Sequence, residues 1–319
     1  MEGRAAQQLE GLVIRSQAGF QTVHTELGDI LCRTRGKLRR GRAEGDRVAV
    51  GDRVRISLNQ DGSGNIDEVL PRERVLSRQL SGVNYDYEQV ILANPDQVIL
   101  VFAVRQPDPR LRMLDRFLVV AERSAIPAVI VANKIDLADQ DTAKALFEVY
   151  ERIGYEVIYA SAHTGEGVDA IRRKLPGKIT TLAGPSGVGK TSLLNAIQPG
   201  LELIVGDVST GVGKGKGKHT TQVRQLFPVP GGGYVADVPG MRTLALYDIE
   251  GEELDAYFRE IAPLVSDCQF SDCTHSHEPG CAVRLAVTEG RVDERRYDSY
   301  LRLRFGNPQL DDIEEYDEA

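Results

Sequence analysis

The strongest chemical signal in the sequence is a run of eight residues that fits the phosphate-binding loop pattern G-x-x-x-x-G-K-[ST]. The run consists of Gly184, Pro185, Ser186, Gly187, Val188, Gly189, Lys190 and Thr191. Glycines allow backbone N–H groups to point at phosphates, and the amino end of a following helix adds positive potential. We expect Lys190 to reach the β- and γ-phosphates, Thr191 to offer its hydroxyl to Mg²⁺, and Ser192 to join the same site. A glycine-rich turn that matches by chance is the alternative, but the strand pattern before the loop and the helix pattern after it favour a phosphate site.

A second motif, Asp237-Val238-Pro239-Gly240, also follows an apolar strand pattern. As a partner of the phosphate loop, Asp237 is expected to hold Mg²⁺ through water, and the Gly240 N–H is expected to meet the γ-phosphate. The stretch 210–221 alternates glycine with lysine and has little apolar content, which is typical of a switch that nucleotide and Mg²⁺ hold in place. We expect Thr220 or Thr221 to sense the γ-phosphate. A linker without a role is the alternative.

A third motif predicts that the base is guanine. It consists of Asn133, Lys134, Ile135 and Asp136, directly after an apolar strand pattern. A carboxylate at Asp136 can accept from both N1–H and the N2 amino group of guanine, a paired contact that adenine cannot make. Asn133 is expected to brace the loop and to touch the purine, and the stem of Lys134 is expected to cover the purine ring. Further along, the pair Ser161-Ala162 follows another strand pattern, where a backbone N–H can meet the guanine oxygen.

Three of the four cysteines cluster near the C-terminus. Together with one histidine they form the set Cys268, Cys273, His275 and Cys281. Three thiolates and one imidazole at these spacings suit tetrahedral Zn²⁺, and four protein ligands fill its coordination shell, so the ion is expected to be structural. His277 is an alternative to His275, and reduced cysteines packed as small apolar groups are the metal-free alternative. Cys32 stands alone and has no assigned role.

These motifs need a frame that brings them together. From about residue 89 onward, apolar strand patterns alternate with helix-length amphipathic runs, which predicts a mostly parallel sheet with helices on both faces. The predicted strands are Val98–Val104, Ala128–Ala132, Glu156–Ala160, Lys178–Ala183 and Tyr234–Ala236. In such a doubly wound sheet, ligands bind at the carboxyl ends of the strands. Each nucleotide motif directly follows one of these strands.

The N-terminal region has a different pattern, with short alternating segments separated by glycine. The predicted strands are Gly11–Arg15, Gly19–Thr25, Asp29–Thr34, Arg47–Val50, Asp52–Leu58 and Ile66–Val69. Such a series predicts a compact antiparallel barrel of the oligonucleotide-binding (OB) type, with a generic small barrel as the alternative. After about Leu244 the strand pattern fades, and helical segments surround the cysteine cluster.

Charge is distributed unevenly along the 319-residue chain. The net charge is −8, but six acidic residues lie in the last nine positions. Basic runs occur elsewhere: Arg33, Arg35, Lys37, Arg39, Arg40 and Arg42; Lys214, Lys216 and Lys218; and Arg284, Arg291, Arg295, Arg296, Arg302 and Arg304, the last set interleaved with Tyr297, Tyr300 and Phe305. Any one run is typical of a solvated surface, and tyrosines at this spacing are typical of helix packing. Together the runs indicate an RNA partner.

Hydropathy predicts no membrane-spanning helix. No apolar run approaches the roughly twenty residues that a membrane-spanning helix needs. Residues 1–12 lack the basic start and apolar core of a secretory signal. We therefore expect a cytoplasmic protein without a membrane partner.

The order of the motifs is unusual. In familiar small GTPases the phosphate loop comes first and the base-reading motifs come last, whereas here the base-reading motifs precede the phosphate loop. With this order, with Lys218-His219-Thr220-Thr221 and with the cysteine cluster, the chain resembles the circularly permuted, ribosome small-subunit-dependent GTPases (RsgA, also called YjeQ). The likeness covers nearly the whole chain.

Pattern and resemblance together predict a multidomain α/β fold. Residues 1–72 are expected to form an RNA-binding OB-type β-barrel, and 73–245 a doubly wound P-loop GTPase domain with circularly permuted motif order. Residues 246–319 are expected to form a helical zinc-binding domain with an acidic tail. Because the Asp237–Gly240 switch leads straight into this last domain, nucleotide state is expected to bias its position.

The resemblance also implies a function. It implies a monomer that binds GTP or GDP with Mg²⁺ and acts in late maturation of the small ribosomal subunit through contacts with its rRNA. Hydrolysis is expected to be stimulated by the subunit and coupled to release. The resemblance favours His275 over His277 as the zinc ligand.

One position suggests slow intrinsic turnover. Met241 follows Gly240, where many GTPases carry the glutamine that orients the attacking water. The family is similar in having an apolar residue there and a histidine in the switch loop, so His219 is the candidate for positioning water. A contact of His219 with RNA or solvent is the alternative.

Two other functions stay open. One is an RNA-binding scaffold in which the nucleotide fills a fixed site and hydrolysis is incidental, although Lys190, Thr191 and Asp237 argue against it. The other is a permuted GTPase that acts on the large ribosomal subunit. Only the resemblance favours the small subunit over the large one.

Overall fold

The N-terminal strands close into a small barrel. The computed structural model describes residues 8–17, 19–34, 48–79, 88–198, 224–237 and 251–306. The barrel strands are β1 (Gln8–Gln17), β2 (Phe20–Thr25), β3 (Gly28–Thr34), β4 (Arg53–Leu58) and β5 (Gly64–Val69). The strands pair in the order β1-β2-β3-β5-β4. Strand β4 also pairs with β1, which closes the barrel. Alternate residues such as Val13, Val23 and Ile56 face a dry interior and have no exposed surface. This confirms the predicted OB-type barrel.

Cys32 acquires a structural explanation inside this barrel. It pairs with Gly64 across β3 and β5, and its side chain is fully buried. A Cβ atom on Gly64 would lie 2.6 Å from the Cys32 sulfur, so the glycine leaves the space that the thiol fills. Burial raises the pKa of Cys32 to about 11, which keeps the thiol protonated near neutral pH. Cys32 is therefore a packing residue of the barrel core.

The prediction of a strand at Arg47–Val50 is wrong for its described part. Val48–Val50 has no strand conformation, because the chain turns there. The Asp52 carboxylate accepts from the Ala49 N–H at 2.7 Å and from Arg72 at 2.7 Å, which fixes this turn between barrel and sheet. The sequence prediction also missed the antiparallel pair β6 (Val75–Gln79) and β7 (Glu88–Ala93), and the strand β12 (Arg224–Pro228).

The central sheet confirms the predicted doubly wound arrangement. Its parallel strands are β8 (Gln97–Ala103), β9 (Ala128–Asn133), β10 (Glu156–Ala160), β11 (Ile179–Ala183) and β13 (Tyr234–Asp237), in the spatial order β10-β9-β8-β11-β13. Strand β12 pairs antiparallel with β13 and also with β1, so the sheet continues into the barrel as eleven strands.

Helices cover both faces of this sheet. They are α1 (Leu111–Arg123), α2 (Gln140–Arg152), α3 (Val168–Arg172) and α4 (Lys190–Ile197). All seven residues of β8 are buried, which is typical of a strand covered on both faces. Its even-numbered residues from Val98 to Phe102 join an apolar cluster that includes α1 and α2. Its odd-numbered residues from Ile99 to Ala103 join a second cluster that includes α3 and α4.

The C-terminal region, 251–306, packs beside α1. It contains 3₁₀ turns at Gly251–Tyr257 and Ala262–Asp267, followed by α5 (Ala282–Thr288) and α6 (Glu294–Phe305). Its apolar core includes Phe258, Ile261, Val283 and Tyr300, together with Val119 from α1. We call residues 251–306 the C-terminal module. Among the described helices, none has the length and apolar character needed to cross a bilayer.

Candidate functional site

The predicted nucleotide motifs meet at one edge of the central sheet. Strands β9, β10, β11 and β13 are parallel, so their carboxyl ends lie on the same side. Asn133 ends β9, Ser161 follows β10, Gly184 follows β11 and Asp237 ends β13. The parallel topology therefore brings to one edge residues as far apart in the chain as Asn133 and Asp237.

Glycine is required at both ends of the phosphate loop. Gly184 has a φ of +144°, and a Cβ atom there would lie 2.1 Å from the Val101 carbonyl oxygen. Gly189 has a φ of +92°, and its Cβ would lie 2.6 Å from Nδ2 of Asn133. Helix α4 begins at Lys190, directly after this turn, and the Lys190 ammonium donates to the Gly184 carbonyl at 2.7 Å. The loop thus combines a lysine and a helix amino end at the place where an anion would bind.

Asn133 ties three loops together. It is 1% exposed, its Nδ2 donates to the Val188 carbonyl at 2.8 Å, and its Oδ1 accepts from the Ala162 N–H at 3.3 Å. One side chain therefore joins the base loop to the phosphate loop and to the loop after β10. The predicted bracing role of Asn133 rests on these two contacts.

Lys134 has an unusual backbone conformation for a side chain of its size. Its φ is +63°, and it caps the short 3₁₀ turn Ile135–Leu137. The Lys134 ammonium donates to the backbone carbonyl of Gln106, in the segment that joins β8 to α1. Burial lowers its pKa, while the nearby Asp136 carboxylate acts in the opposite direction. The aliphatic stem of Lys134 is thereby held against the loop.

Asp136 is positioned by Ser161. The hydroxyl of fully buried Ser161 donates to Oδ1 of Asp136 at 2.5 Å and accepts from the backbone N–H groups of His163 and Thr164. Asp136 itself is exposed, so its carboxylate keeps acceptor capacity on the solvent side. The sequence indicated a backbone contact near Ser161-Ala162, but it did not reveal that the Ser161 side chain orients the Asp136 carboxylate, the candidate for reading the base.

Part of the predicted site lies outside the described residues. This applies to His219, Thr220, Thr221 and Gly240, and to the basic residues Lys214, Lys216 and Lys218. For Asp237 only the backbone is described, and it pairs with Gln225 at the end of β13. Within the N-terminal basic run, only Arg33 lies in the described part.

The predicted metal ligands form one cluster. The candidate ligand atoms of Cys268, Cys273, His275 and Cys281 lie within 4.8 Å of one another. The sulfurs of Cys268 and Cys281 are 3.9 Å apart, and each lies 3.5 Å from Nδ1 of His275. With bonds of about 2.3 Å to sulfur and 2.0 Å to nitrogen, a tetrahedral Zn²⁺ site requires about 3.8 Å between sulfurs and 3.5 Å between sulfur and nitrogen. The distances among Cys268, His275 and Cys281 match this geometry, and Cys273 completes a four-ligand set within 4.8 Å.

The surroundings of His275 support the same geometry. Its ring is fully buried, Nδ1 faces the sulfurs, and Nε2 lies 3.3 Å from Oδ2 of Asp255. A carboxylate on the second ring nitrogen is the usual orienting partner of a metal-binding histidine. The Tyr297 hydroxyl donates to the His275 backbone carbonyl, which fixes the turn. His277 points away with a side chain 84% exposed, so among the described residues His275 is the histidine of the cluster.

The expectation that the arginines of α6 serve RNA is wrong for Arg296. It is 1% exposed and forms ion pairs at 2.7 Å with both Asp115 and Glu260. Tyr300 is also buried, and its hydroxyl donates to the Thr274 carbonyl. These side chains build the interior because α6 packs against α1. Arg295 and Arg302 remain on the surface, where each pairs with a nearby aspartate.

Comparisons with known proteins agree with this arrangement. Residues 69–247 match the family model described as RsgA GTPase, and residues 10–66 match the model of the RsgA N-terminal domain. A protein of Gemmatimonas aurantiaca named small ribosomal subunit biogenesis GTPase RsgA is 44% identical over 297 residues, covering 92% of this chain and 96% of the relative. A protein of the same name from Thermotoga maritima is 42% identical over 298 residues, with 92% and 95% coverage.

Solved structures show the same likeness. The crystal structure of YjeQ from Thermotoga maritima has a TM-score of 0.78 and 39% identity, covering 94% of this chain and 98% of that one. The structure of YloQ, described as a circularly permuted GTPase, has a TM-score of 0.73 and 34% identity, with 95% and 96% coverage. The likeness thus extends over barrel, sheet and C-terminal module.

Proposed function

Because this chain belongs to the RsgA family of circularly permuted GTPases and is a GTP hydrolase, we propose that it acts in late maturation of the small ribosomal subunit. Its hydrolysis of GTP is stimulated by the subunit and coupled to release. The observation that carries the guanine-nucleotide site of this proposal is the convergence of three loops on Asn133, next to an Asp136 carboxylate held by Ser161. The relatives that share this chain's length and organisation are named for biogenesis of the small ribosomal subunit.

The proposed nucleotide contacts follow from this frame. The exposed Asp136 carboxylate accepts from the N1–H and N2 amino groups of guanine, while the stem of Lys134 covers the ring and the Ala162 N–H meets the guanine oxygen. The loop from Gly184 to Thr191, with Ser192, cradles the phosphates. Binding adenine would leave the carboxylate without its paired donors, and a site built for such hydrogen bonds rejects a ligand without them by a factor of about 10⁴ to 10⁵.

The proposed catalytic residues act on the γ-phosphate. Lys190 neutralises charge on the β- and γ-phosphates, and Thr191 and Asp237 hold Mg²⁺, which stabilises the charge that develops on the phosphate oxygens. His219 positions the attacking water, because Met241 cannot. Thr220 or Thr221 senses the γ-phosphate, and the Gly240 N–H meets it. Because Met241 stands where many GTPases carry glutamine, and His219 lies in the glycine- and lysine-rich stretch 210–221, slow turnover without a partner is the expected behaviour.

The RNA contacts are proposed for the barrel and the C-terminal module. On the described part of the barrel, Phe20 is 37% exposed and Leu31 54% exposed, and the Arg33 guanidinium lies 4.7 Å from the centre of the Phe20 ring. An exposed aromatic flanked by arginine suits a base that stacks and a phosphate that pairs.

We propose three domains, with the limits 1–72, 73–245 and 246–319. The protein is proposed to be a cytoplasmic monomer, and the metal in the cysteine cluster to be one structural Zn²⁺.

The test is the rate of GTP hydrolysis by the purified protein alone, with small ribosomal subunits and with large ones. ATP serves as the control nucleotide. Stimulation by small subunits alone supports the proposal. Stimulation by large subunits would assign the enzyme to the other particle, and a low rate indifferent to both would leave a guanine-nucleotide-binding RNA scaffold as the better account.

A further inference from the structure

A buried polar network attaches the C-terminal module to α1. Its members are Asp115 and Tyr150 of the central domain and Glu260, Arg296 and Ser299 of the module, and we call it the α1 network. Arg296 donates to Asp115 at 2.7 Å and to Glu260 at 2.7 Å. The hydroxyls of Ser299 and Tyr150 both donate to the Asp115 carboxylate, Tyr150 at 2.7 Å. One carboxylate on α1 thus accepts three hydrogen bonds, two of them from α6.

The network is shielded from water. The side chains of Arg296, Asp115 and Glu260 are 1%, 3% and 5% exposed. The Arg296 guanidinium also lies 4.5 Å from the centre of the Phe258 ring. Removing one partner from such a group leaves a buried charge without compensation, so the network resists any displacement of α6 along α1. The module is therefore fixed to α1 in one orientation.

The segment before α1, about one helical turn from Asp115, contacts the nucleotide loops. The segment 104–110, which leads from β8 into α1, provides the Gln106 carbonyl that accepts from the Lys134 ammonium. Its Val104 N–H donates to the Asn133 carbonyl at 2.9 Å. The Pro107 ring would lie 3.6 Å from a Cβ atom on Gly187 of the phosphate loop. The amino end of α1 thus abuts both the base loop and the phosphate loop.

We propose that α1 couples the C-terminal module to the nucleotide loops, so that the metal site and the nucleotide site change each other's affinity. Helix α1 has 13 residues, and its buried face packs against the sheet, so it transmits a displacement at Asp115 to the segment before Leu111. The proposal rests on the proposed nucleotide and zinc sites. This route differs from the direct chain connection through residues 238–250, which lie outside the described residues.

Linkage theory fixes the form of the effect. If metal loading changes GDP affinity by a given factor, GDP must change metal affinity by the same factor. Loss of the metal loosens the turn around His275, whose backbone carbonyl holds Tyr297 on α6, and α6 carries Arg296 and Ser299. With the module loosened, α1 no longer holds the Gln106 carbonyl against Lys134. GDP binding is therefore expected to weaken when the metal is removed.

The test measures GDP binding by titration calorimetry on full-length protein loaded with Zn²⁺ and on the same protein stripped by a chelator. We expect the dissociation constant for GDP to rise by about fivefold or more on stripping, within the usual range for coupled sites. Zn²⁺ affinity, measured by competition with a chelating dye, is expected to rise by the same factor when GDP is saturating. Equal GDP affinity in loaded and stripped protein would overturn the proposal.

Variants separate coupling from folding. Arg296→Met, or the milder Ser299→Ala where the first does not fold, should weaken GDP binding while Zn²⁺ stays bound. Arg302→Met is the matched control, because Arg302 lies on the exposed face of α6 and pairs with Asp298. Unchanged GDP affinity in metal-loaded Arg296→Met or Ser299→Ala would refute the route through α1. Failure of the loaded wild-type protein to prefer GDP over ADP would refute the proposed function instead.

Discussion

Asn133 offers the sharpest test of how the nucleotide site is assembled. The Asn133→Ala change removes both side-chain contacts, the donor to the Val188 carbonyl at 2.8 Å and the acceptor for the Ala162 N–H at 3.3 Å. It leaves the backbone of β9 intact, because Asn133 pairs with Ala160 and Ala103 through main-chain atoms. The change therefore loosens three loops without removing an atom that is proposed to touch the nucleotide phosphates.

The free-energy cost of Asn133→Ala follows from the burial of the two hydrogen bonds that it removes. Losing the contact to Ala162 costs about 1 kcal/mol, and leaving the Val188 carbonyl without its buried donor costs about 1–3 kcal/mol. The total is roughly 2–4 kcal/mol. Nucleotide binding must restore the loop arrangement that Asn133 otherwise holds, so we assign at least about 2 kcal/mol to binding. That corresponds to a roughly thirtyfold rise in the dissociation constant for GDP.

The assay is equilibrium binding of GDP, with thermal unfolding measured in parallel. Thr142→Ala is the matched control, since it removes a hydroxyl that donates to Asp139 at 2.7 Å on the exposed start of α2, in the same region of the fold. That control should change GDP affinity by less than twofold. If Asn133→Ala also stays within twofold of wild type while its melting temperature falls, Asn133 acts only in stability and the bracing argument is refuted.

Four other predictions follow from the same geometry. Asp136→Asn should weaken GTP binding and favour xanthosine triphosphate, whose extra carbonyl matches the new amide donor; unchanged GTP affinity in a binding assay would contradict the base assignment. Gly184→Ala should abolish GDP binding or folding, because its Cβ would lie 2.1 Å from a β8 carbonyl oxygen, and circular dichroism with GDP titration tells these outcomes apart. Cys273→Ser should lose the metal, as elemental analysis would reveal, and disorder the C-terminal module, but it should still bind GDP, with the weaker affinity expected of metal-free protein. His219→Ala should lower the subunit-stimulated rate of GTP hydrolysis without changing GDP affinity; an unchanged stimulated rate would remove His219 from the mechanism.

The sequence predicts the parallel sheet and the phosphate loop because the patterns that indicate them are local in the chain. The seven buried residues of β8 form one apolar run, and the glycines of the phosphate loop stand where positive φ angles are needed. The candidate metal ligands are equally visible in the sequence, since their spacing along 268–281 is short and the chemistry of three cysteines and a histidine is specific. In each case the residues that act together are close in sequence or follow a strand directly.

The features that the sequence did not predict share a different cause: they depend on residues far away in the chain. Arg296 looked like a surface residue because its acidic partner, Asp115, lies 181 positions away. One signal could have found it: Asp115 directly follows Leu114 in the apolar stripe of α1, where a carboxylate needs a buried cation. Strand β12 was missed because Arg224 and Gln225 obscure its apolar pattern and Pro228 ends it. Cys32 stayed unexplained until Gly64 appeared opposite it.

The place of strand β12 in the sheet bears on stimulation by a partner. Strand β12 lies between β13 and β1, and its Gln225 pairs with Asp237 on one side and with Arg15 of the barrel on the other. Arg15 also lines the groove that contains Phe20 and Leu31. The barrel surface proposed for RNA is therefore two strands from the carboxylate proposed for Mg²⁺. In the chain, β12 begins shortly after the segment that contains His219, Thr220 and Thr221, so the partner proposed for the barrel would act on the strand that follows the proposed switch.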